Sequence, residues 1–404
     1  MFRKTIRSSN LYRWLTIPGG IFIILSFFPR LGTFPILAFI GLLFFVLYFG
    51  SRFYENHLDD YLAIDYPNRK IRCYPGDEEN LQLSIMQKGI LPILNAKLVV
   101  KYDIVLESSY KFSEEKMTNT LEVPITLLSF EKKELLLPVL AKRRGVGRIR
   151  VIRLVVPNIL GFSEIDLLYN RYHKEEVVIY PSLSEVKGLN LLDPRSNGDH
   201  QAKHSIYEEP LLQYGTRAYD RGDPFNRIHW KATAKRNELQ TKIVEKVNQL
   251  SWCFIINVKT EYGTSMVEQT EQLLEQTAYM CRFATERQIP FEIYMNVRGR
   301  GGAPYVHLTL GEGHHHLMNA LELLARVNPL GLTAPLLHTL NHLNQQPKPP
   351  YIIQIGEMSQ QHHPFFKRWE QNGHSVYYLD TKKGASELAP LHMKGGRAIN
   401  EKSG

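Results

Sequence analysis

The residues best suited to chemistry lie between positions 214 and 239, a stretch that we call the signature segment. It contains Arg217, Asp223 and His229 among several further basic residues. A guanidinium can bind a carboxylate through two hydrogen bonds, and we predict such a pair between Arg217 and Asp223. An aspartate near a histidine can also move protons. The basic side chains around them suit a phosphate group or another polyanion.

The local structure of this segment follows from its turn residues. Gly222, Asp223 and Pro224 predict a turn, because glycine tolerates a left-handed backbone and proline fixes its own φ. We expect Asp223 to cap a short helix over residues 228–236, with Pro224 at its first position. The rings of Tyr219 and Trp230 are expected to cover the Arg217–Asp223 pair.

Catalysis by this segment is the less favoured interpretation. A hydrolase needs a nucleophile beside an oriented base, and no serine or cysteine here lies in a Gly-x-Ser-x-Gly elbow. We therefore expect Asp223 to hold a turn. Two structural roles stay open for the segment, namely bracing the junction between domains and contacting a partner directly.

The signature segment closely resembles that of the domain of unknown function 58 family, which shows Arg-x-Tyr, Gly-Asp, Ile-x-Trp-Lys-x-x-Ala and Glu-Leu. The matching positions are Arg217, Tyr219, Gly222, Asp223, Ile228, Trp230, Lys231, Ala234, Glu238 and Leu239. Further similarity lies in residues 142–145, 158–162 and 178–181. The resemblance implies a membrane anchor, a β-rich domain and a von Willebrand factor A-like domain. It also implies association with MoxR-type AAA+ ATPases and transglutaminase-like membrane proteins.

A cation site is expected in an intact von Willebrand A domain, where Asp-x-Ser-x-Ser supplies oxygen ligands. The corresponding positions here are Asn257, Lys259 and Glu261. The Lys259 ammonium would repel a divalent ion, so we predict a degenerate motif with no bound metal. Our hypothesis is that Lys259 occupies the vacant cation position and meets an acidic residue of a partner.

Other candidate motifs have simpler interpretations. His314, His315 and His316 are adjacent and lack the spacing of metal ligands, so we expect a solvated start of a helix. Residues 299–302 lack the context of a phosphate-binding loop and predict a turn. Cys73, Cys253 and Cys281 lie far apart in apolar stretches and are expected to be buried thiols. We predict no cofactor.

The elements that carry these residues begin with a membrane anchor. Two apolar runs, at about residues 12–28 and 31–50, predict a transmembrane hairpin. Basic residues cluster before the first run, so the positive-inside rule places the N-terminus in the cytoplasm. Two crossings would return the chain to the same side. We therefore predict a multi-pass plasma-membrane protein with both termini and its soluble domains in the cytoplasm.

The soluble part divides into regions by its pattern of predicted strands and helices. Short alternating strands predict an immunoglobulin-like β-sandwich over residues 53–185, and residues 186–250 form a connection that carries the signature segment. Strands alternating with helices predict a doubly wound α/β domain of the von Willebrand A type over 251–383. A flexible tail is expected at 384–404, and residues 1–52 form an N-terminal cytoplasmic segment with the hairpin.

The charge balance argues against a nucleic-acid partner. The chain of 404 residues has a formal net charge of +9. Its first 50 residues hold five basic residues and no acidic one, so the rest is only weakly basic. The sequence as a whole favours a membrane-anchored, non-enzymatic adaptor whose partner is a MoxR-type ATPase, in envelope or membrane-protein assembly. The alternative is a membrane-bound hydrolase or a phosphate- or lipid-binding protein that uses the basic signature region.

Overall fold

The computed structural model describes residues 2–8, 12–27, 34–67, 69–108, 112–115, 118–158, 160–161, 163–169, 175–192, 208–221, 223–246, 250–259, 269–299, 302–329, 331–380 and 386–391. These residues form two compact units, Met1–Pro181 and Ser182–Gly404.

The first unit contains two apolar helices, α1 (Tyr12–Ser26) and α2 (Phe34–His57). Within the described residues, one helix is long and apolar enough to cross a membrane: Ile36–His57 has a mean hydropathy of 2.0, and 11% of its most apolar window is buried. The apolar part of α1, Thr16–Ser26, is shorter. Of the two predicted spans, the second therefore has the length and composition of a membrane-crossing helix.

Small residues allow α1 and α2 to approach each other closely. A Cβ atom added at Gly41 would lie 2.6 Å from Ile23 Cγ1 and 3.0 Å from the Gly19 carbonyl oxygen. The rings of Phe22 and Phe44 stack with centroids 6.1 Å apart. Glycine at position 41 is therefore required by the contact between the two helices.

Residues 2–8 and described residues between 62 and 179 form a β-sandwich with one shared core. The larger sheet has eight strands: β1 (Phe2–Ser8), β3 (Lys70–Cys73), β5 (Ile93–Asp103), β7 (Phe112–Glu115), β8 (Thr118–Leu127), β10 (Gly145–Pro157), β11 (Ser163–Tyr169) and β12 (Glu176–Ile179). The smaller sheet has four: β2 (Leu62–Asp65), β4 (Glu78–Gln87), β6 (Leu106–Glu107) and β9 (Lys132–Ala141). The pairs are antiparallel except for β3 with β12, and apolar residues alternate inward along the strands.

Strand β1 is a feature that the sequence analysis missed. The segment before α1 was expected to be a separate cytoplasmic extension, but it pairs antiparallel with β11 over its whole length, from Phe2–Tyr169 to Ser8–Ser163. Its apolar side chains are few, and its basic residues were interpreted as a membrane-orienting charge cluster. The N-terminal residues are therefore part of the sandwich.

The end of α2 is built into the sandwich. Leu58 is fully buried in the sandwich core, and the Tyr54 hydroxyl donates a 2.8 Å hydrogen bond to the Pro92 carbonyl. The buried carboxylate of Glu55 accepts hydrogen bonds from Asn158 Nδ2 at 2.8 Å and from the Ser163 hydroxyl. These buried bonds fix the direction of the helix relative to the strands.

The second unit contains a two-stranded ribbon and a six-stranded sheet. The ribbon pairs β13 (Glu208–Ala218) with β14 (Gln240–Lys246), and the short helix α3 (Trp230–Arg236) lies between them in sequence. The sheet has the order β17 (Val306–Gly311), β16 (Phe291–Met295), β15 (Trp252–Ile256), β18 (Tyr351–Ile355), β19 (Ser375–Asp380) and β20 (Glu387–Pro390). Its four central strands are parallel and its two edge strands antiparallel.

Helices cover both faces of this sheet. They are α4 (Thr270–Glu286), α5 (Gly313–Ala325), α6 (Leu336–Asn344) and α7 (His363–Gln371). Trp252 of β15 stacks on Phe283 of α4 at 6.0 Å, whereas the next residue, Cys253, belongs to the core formed with α6 and α7. All five residues of β15 are buried, as is usual for a central parallel strand.

Two expectations about this unit can be compared with the structure. The apolar face expected on α4 is confirmed, because its six residues are buried: Leu273, Leu274, Thr277, Ala278, Cys281 and Ala284. The expected flexible tail is wrong in part, because β20 pairs with β19 between Tyr377–Pro390 and Asp380–Glu387. Residues 392–404 lie outside the described residues.

Candidate functional site

The signature segment is positioned by the ribbon. The Tyr219 amide donates to the Leu239 carbonyl at 2.9 Å, and the His229 amide donates to the Gln240 carbonyl at 2.8 Å. Ile228, which is buried, forms a bridge with Thr241 of β14. These backbone bonds hold the loop after β13 and the start of α3 against the second strand.

Asp223 is the centre of the hydrogen bonds in the segment. Its carboxylate accepts from Arg217 Nη2 at 2.6 Å, the Asp220 amide at 3.0 Å and the Thr241 hydroxyl at 3.0 Å. The hydrogen bond from Arg217 lowers the pKa of Asp223 to about 2, and the Asp220 amide contributes. The carboxylate therefore stays ionised at neutral pH.

The predicted pair between Arg217 and Asp223 is present, but the predicted bidentate form is not. Arg217 Nη1 donates instead to the Ala218 carbonyl at 3.2 Å. Tyr219 does contact the turn, through a 3.2 Å hydrogen bond from its hydroxyl to the Asp223 carbonyl oxygen. Gly222 lies outside the described residues.

The predicted cap of the helix is wrong. A separate 3-10 turn, Phe225–Arg227, follows Pro224, and α3 begins two residues after it. Its cap is His229, whose Nδ1 accepts from the Ala232 amide at 3.1 Å. The helix ends at Asn237, which adopts a left-handed conformation with φ 59°. Asp223 lies too early in the chain to cap α3, and its oxygens are bound elsewhere.

The expected cover by Trp230 is also wrong. Trp230 is 67% exposed and Phe225 is 74% exposed, so both rings face solvent. The other motif positions on α3 and after it are also exposed: Lys231, Ala234, Glu238 and Leu239. The structure therefore divides the motif into a hydrogen-bonded turn and an exposed surface.

A second group of residues lies where the central parallel strands end. Asn257 follows β15, and Asn296 follows β16. Asn257 Oδ1 accepts from Asn296 Nδ2 at 2.7 Å and from the Lys259 amide at 3.2 Å. Asn257 Nδ2 donates to the Glu357 carbonyl at 2.6 Å. These bonds join the loops that follow β15, β16 and β18.

This arrangement does not suit a cation at the predicted position. Both lone pairs of Asn257 Oδ1 accept protein hydrogen bonds, so neither is available to a metal. The described residues contain no group of three or more histidine, cysteine, aspartate or glutamate side chains that could hold a metal ion. Glu261 lies outside the described residues. The residues present therefore serve to join the loops by hydrogen bonds. We call the hydrogen bonds of Asn257 and Asn296 the latch.

A cleft of about 460 Å³ opens beside this latch. Its walls include Lys259 after β15, Glu357 after β18, and Ser359 and His362 at the start of α7. The chain passes from β15 to β16 on one side and to β18 on the other, so the cleft lies at the point where the strand order reverses. Ligands of open α/β sheets commonly bind at such a point. We call it the switch-point cleft.

The charges in the switch-point cleft have no partner of opposite sign within the described residues. The Lys259 ammonium and the Glu357 carboxylate each lack a hydrogen bond or ion pair there. His362 is different, because its Nδ1 accepts from the Ser359 amide at 3.2 Å and burial lowers its pKa. The cleft is therefore lined by a histidine of lowered pKa and by two charged side chains that have no partner within the described part of the chain.

Gly356 allows the loop after β18 to approach the backbone of Asn257 closely. Its φ is +89°, and an added Cβ atom would lie 2.3 Å from the Asn257 carbonyl oxygen. Sequence reasoning found Asn257 and Lys259 but missed Asn296, Gly356 and Glu357. A signal was available, because Asn296 follows a short buried strand just as Asn257 does. The order of the strands in the sheet was needed to bring the two together.

The remaining candidates are structural. The three cysteines are buried and free, and burial raises their thiol pKa values. His314 and His315 are exposed, as expected for a solvated start of a helix. His316 is different, because its Nε2 donates a 2.8 Å hydrogen bond to the Phe291 carbonyl oxygen. The Gly299 amide donates to the Ala303 carbonyl oxygen at 2.9 Å, and residues 300 and 301 of the predicted turn lie outside the described residues.

No protein-family model and no curated protein matches the chain. A β-glucosidase from Listeria innocua aligns over 29% of this chain and 16% of its own, with 9% identity and a TM-score of 0.17. A non-cellulosomal cohesin from Archaeoglobus fulgidus aligns over 29% and 90%, with 11% identity and a TM-score of 0.18. The sporulation control protein Spo0M from Bacillus subtilis aligns over 30% and 49%, with 10% identity and a TM-score of 0.16.

Proposed function

We propose that this chain is a membrane-anchored, non-enzymatic adaptor of the domain of unknown function 58 family. Its anchor holds a von Willebrand A-like α/β unit at the cytoplasmic face of the plasma membrane, where it docks a protein partner. The partner is a MoxR-type AAA+ ATPase, with a transglutaminase-like membrane protein as a third component. The assembly acts on envelope or membrane-protein assembly.

The observation that carries the proposal is the switch-point cleft, in which Lys259 and Glu357 have no partner of opposite charge among the described residues. Its loops are held by the Asn257–Asn296 hydrogen bonds, so the two charges are presented from a rigid rim. A preorganised rim loses little conformational entropy on binding. A partner surface with an acidic side chain for Lys259 and a basic one for Glu357 fits this pattern.

The apolar helix α2 and the pairing of β1 with β11 support the proposed anchor. A chain whose segments before α1 and after α2 share one sheet cannot leave them on opposite sides of a bilayer. If α2 crosses, α1 must return the chain, which gives the twice-crossing hairpin. Arg3, Lys4 and Arg7 then lie on the same side as the sandwich, and the positive-inside rule makes that side cytoplasmic.

Two hydrogen-bonding roles weigh against the alternative hydrolase. Asp223 is held as an ion by Arg217, so it is a poor base. His229 Nδ1 accepts the Ala232 amide and caps α3. Neither group is free to activate water without breaking the local fold.

Co-purification with charge-reversal variants tests the proposal. The full chain, tagged and extracted from membranes of its own host in mild detergent, should recover a MoxR-type ATPase in stoichiometric amount. Lys259→Glu should reduce recovery at least about tenfold, since like charges then face each other. Lys367→Glu changes the same charge on the exposed surface of α7 and should leave recovery unchanged.

Two results would contradict the proposal. Repeated failure to recover any stoichiometric partner would remove the adaptor function. Equal recovery with the Lys259→Glu, Lys367→Glu and unchanged chains would show that the partner binds elsewhere than the switch-point cleft.

A further inference from the structure

Residues 217–236 of the signature segment form a basic stretch in the second unit. The whole chain has a formal net charge of +9, and its first 50 residues supply five basic residues and no acidic one. Residues 217–236 hold six basic and two acidic residues, which accounts for the remaining +4. The other residues beyond position 50 are neutral in sum. A local excess of basic over acidic residues, as in 217–236, produces a local positive potential.

Exposed aromatic rings lie among these charges. Phe225 in the 3-10 turn and Trp230 at the start of α3 flank the buried Ile228, so the loop turns one apolar side chain inward and leaves two rings in solvent. Leu239, which follows α3, is also exposed, at 44%. Exposed apolar side chains that lie close together on a surface can mark a binding site for a protein or a membrane.

The cations beside Trp230 are available to a ligand. Lys231 and Lys235 lie one helical turn apart on α3, and neither ammonium group has a hydrogen bond or ion pair within the described residues. Arg221 is exposed in the turn before them. Arg217, in contrast, is bound by Asp223. The surface formed by Arg221, Phe225, Trp230, Lys231 and Lys235 is called the aromatic–basic surface below.

We propose that the aromatic–basic surface binds the anionic interface of the lipid bilayer. Tryptophan rings favour the level of the lipid headgroups, where an apolar ring and a polar N–H both find partners. Lysine and arginine side chains near them are attracted to anionic headgroups through flexible stems. The chain already carries an apolar helix of membrane-crossing length. The bilayer that would hold this helix supplies an anionic surface, whose charge is opposite to that of the aromatic–basic surface.

Lipid contact at Trp230 is directly measurable by fluorescence quenching. The full chain is reconstituted into nanodiscs of phosphatidylcholine, with or without about one-third phosphatidylglycerol, that contain lipid with brominated acyl chains. Trp252 and Trp369 are buried, so they are shielded from the quencher. Subtracting the quenching of a Trp230→Phe variant then isolates the signal of Trp230 from that of Trp14.

We expect Trp230 to be quenched in the anionic nanodiscs and much less in phosphatidylcholine alone. The quenching should fall in 1 M NaCl, where the screening length is about 3 Å. The double variant Lys231→Glu/Lys235→Glu should lose it. The control Lys367→Glu/Arg368→Glu makes the same charge change on α7 and should keep it.

Three results would overturn the inference: no quenching of Trp230 in anionic nanodiscs, quenching that is equal in both lipids, or quenching that the two double variants share. A photo-crosslinking residue in place of Trp230 gives a second measurement in native membranes. Crosslinks to lipid support the inference, whereas crosslinks to a protein chain alone would assign the surface to a protein partner.

The inference rests on the proposed membrane anchoring, and the experiment separates the two. If the anchoring is wrong, the chain does not co-elute with nanodiscs during size-exclusion chromatography. If only the inference is wrong, the chain co-elutes and Trp230 is not quenched.

Discussion

The ammonium group of Lys4 lies 2.5 Å from the Asp59 carboxylate. The same ammonium donates to the Asn56 carbonyl oxygen at 2.9 Å. Lys4 belongs to β1, before α1, whereas Asn56 and Asp59 lie at and just beyond the end of α2. The entry and the exit of the helix pair are therefore joined directly, in addition to the pairing of β1 with β11.

This relationship predicts that both ends of the helix pair lie on one side of the membrane. Reporter fusions of green fluorescent protein and alkaline phosphatase at the N-terminus and after Pro181 should both report the cytoplasm. Single cysteines in place of Ser8 and Ser129 give an independent check that adds no fusion partner next to β1. Both cysteines should be inaccessible to a membrane-impermeant maleimide in intact cells. Opposite labelling of the two cysteines would contradict the twice-crossing anchor.

The contact at Gly41 predicts a reversal of the usual effect of alanine in a helix. Gly→Ala normally stabilises a helix by roughly 0.5–1 kcal/mol. Gly41→Ala should instead destabilise the helix pair by about 1–3 kcal/mol, because the new Cβ atom meets Ile23 and the Gly19 carbonyl. Thermal unfolding of the chain in detergent measures the difference.

Gly20→Ala and Gly50→Ala are matched controls for this prediction. Both glycines lie in the same helices, and an added Cβ atom meets nothing within 4 Å at either position. Neither control should lower the melting temperature. If Gly41→Ala behaves like the controls, α1 and α2 do not pack in this way.

The fold could be predicted from the sequence where one periodicity dominates. The buried face of α4 follows from spacings of three and four residues, and the sandwich strands follow from alternation. Strand β1 could not be predicted, because Arg3, Lys4 and Arg7 are equally typical of a membrane-orienting segment. Its place depends on a pairing with residues more than 150 positions away, which no local pattern encodes.

The sites show the same division. The Arg217–Asp223 pair is local in sequence, and it could be predicted from the charges of the two side chains and their short separation. The cap of α3 was wrong because Asp223 and His229 both suit a cap, and the backbone of the intervening 3-10 turn decides between them. The Asn257–Asn296 latch needs the order of the strands, which sequence alone leaves open.

Asp223→Asn tests whether the turn braces the fold. The variant loses the charge that binds Arg217, so the melting temperature of the second unit should fall by roughly 2–4 °C at pH 7. The pKa of Asp223 is lowered to about 2, so its stabilisation is present above the ordinary aspartate pKa of about 3.9 and is lost as the pH falls towards 2. The difference between the two proteins should therefore shrink below pH 4.

Asp220→Asn is the control for this prediction. Asp220 is exposed and its carboxylate accepts from the Arg221 amide at 2.8 Å, so its removal should have a smaller effect. A surface role for Asp223 would instead leave the melting temperature unchanged while partner recovery falls. Thermal unfolding and co-purification of the same variants distinguish the two roles.

Glu175 predicts a pH dependence of opposite sign in the sandwich. Burial raises the pKa of its carboxyl group to about 7, and the charge of Arg69 opposes this in part. A raised folded-state pKa means that the stabilisation is fully present below the ordinary glutamate pKa of about 4.3 and is lost as the pH rises through 7. Glu175→Gln keeps a neutral side chain at every pH. Above pH 7 the variant should therefore melt at a higher temperature than the unchanged chain, and at pH 5 the two melting temperatures should be similar.

Glu164→Gln is the control, because it removes an exposed carboxylate from the same unit and should show no such dependence on pH. Parallel melting curves for Glu175→Gln and the unchanged chain from pH 5 to 9 would show that Glu175 is not buried as a neutral acid.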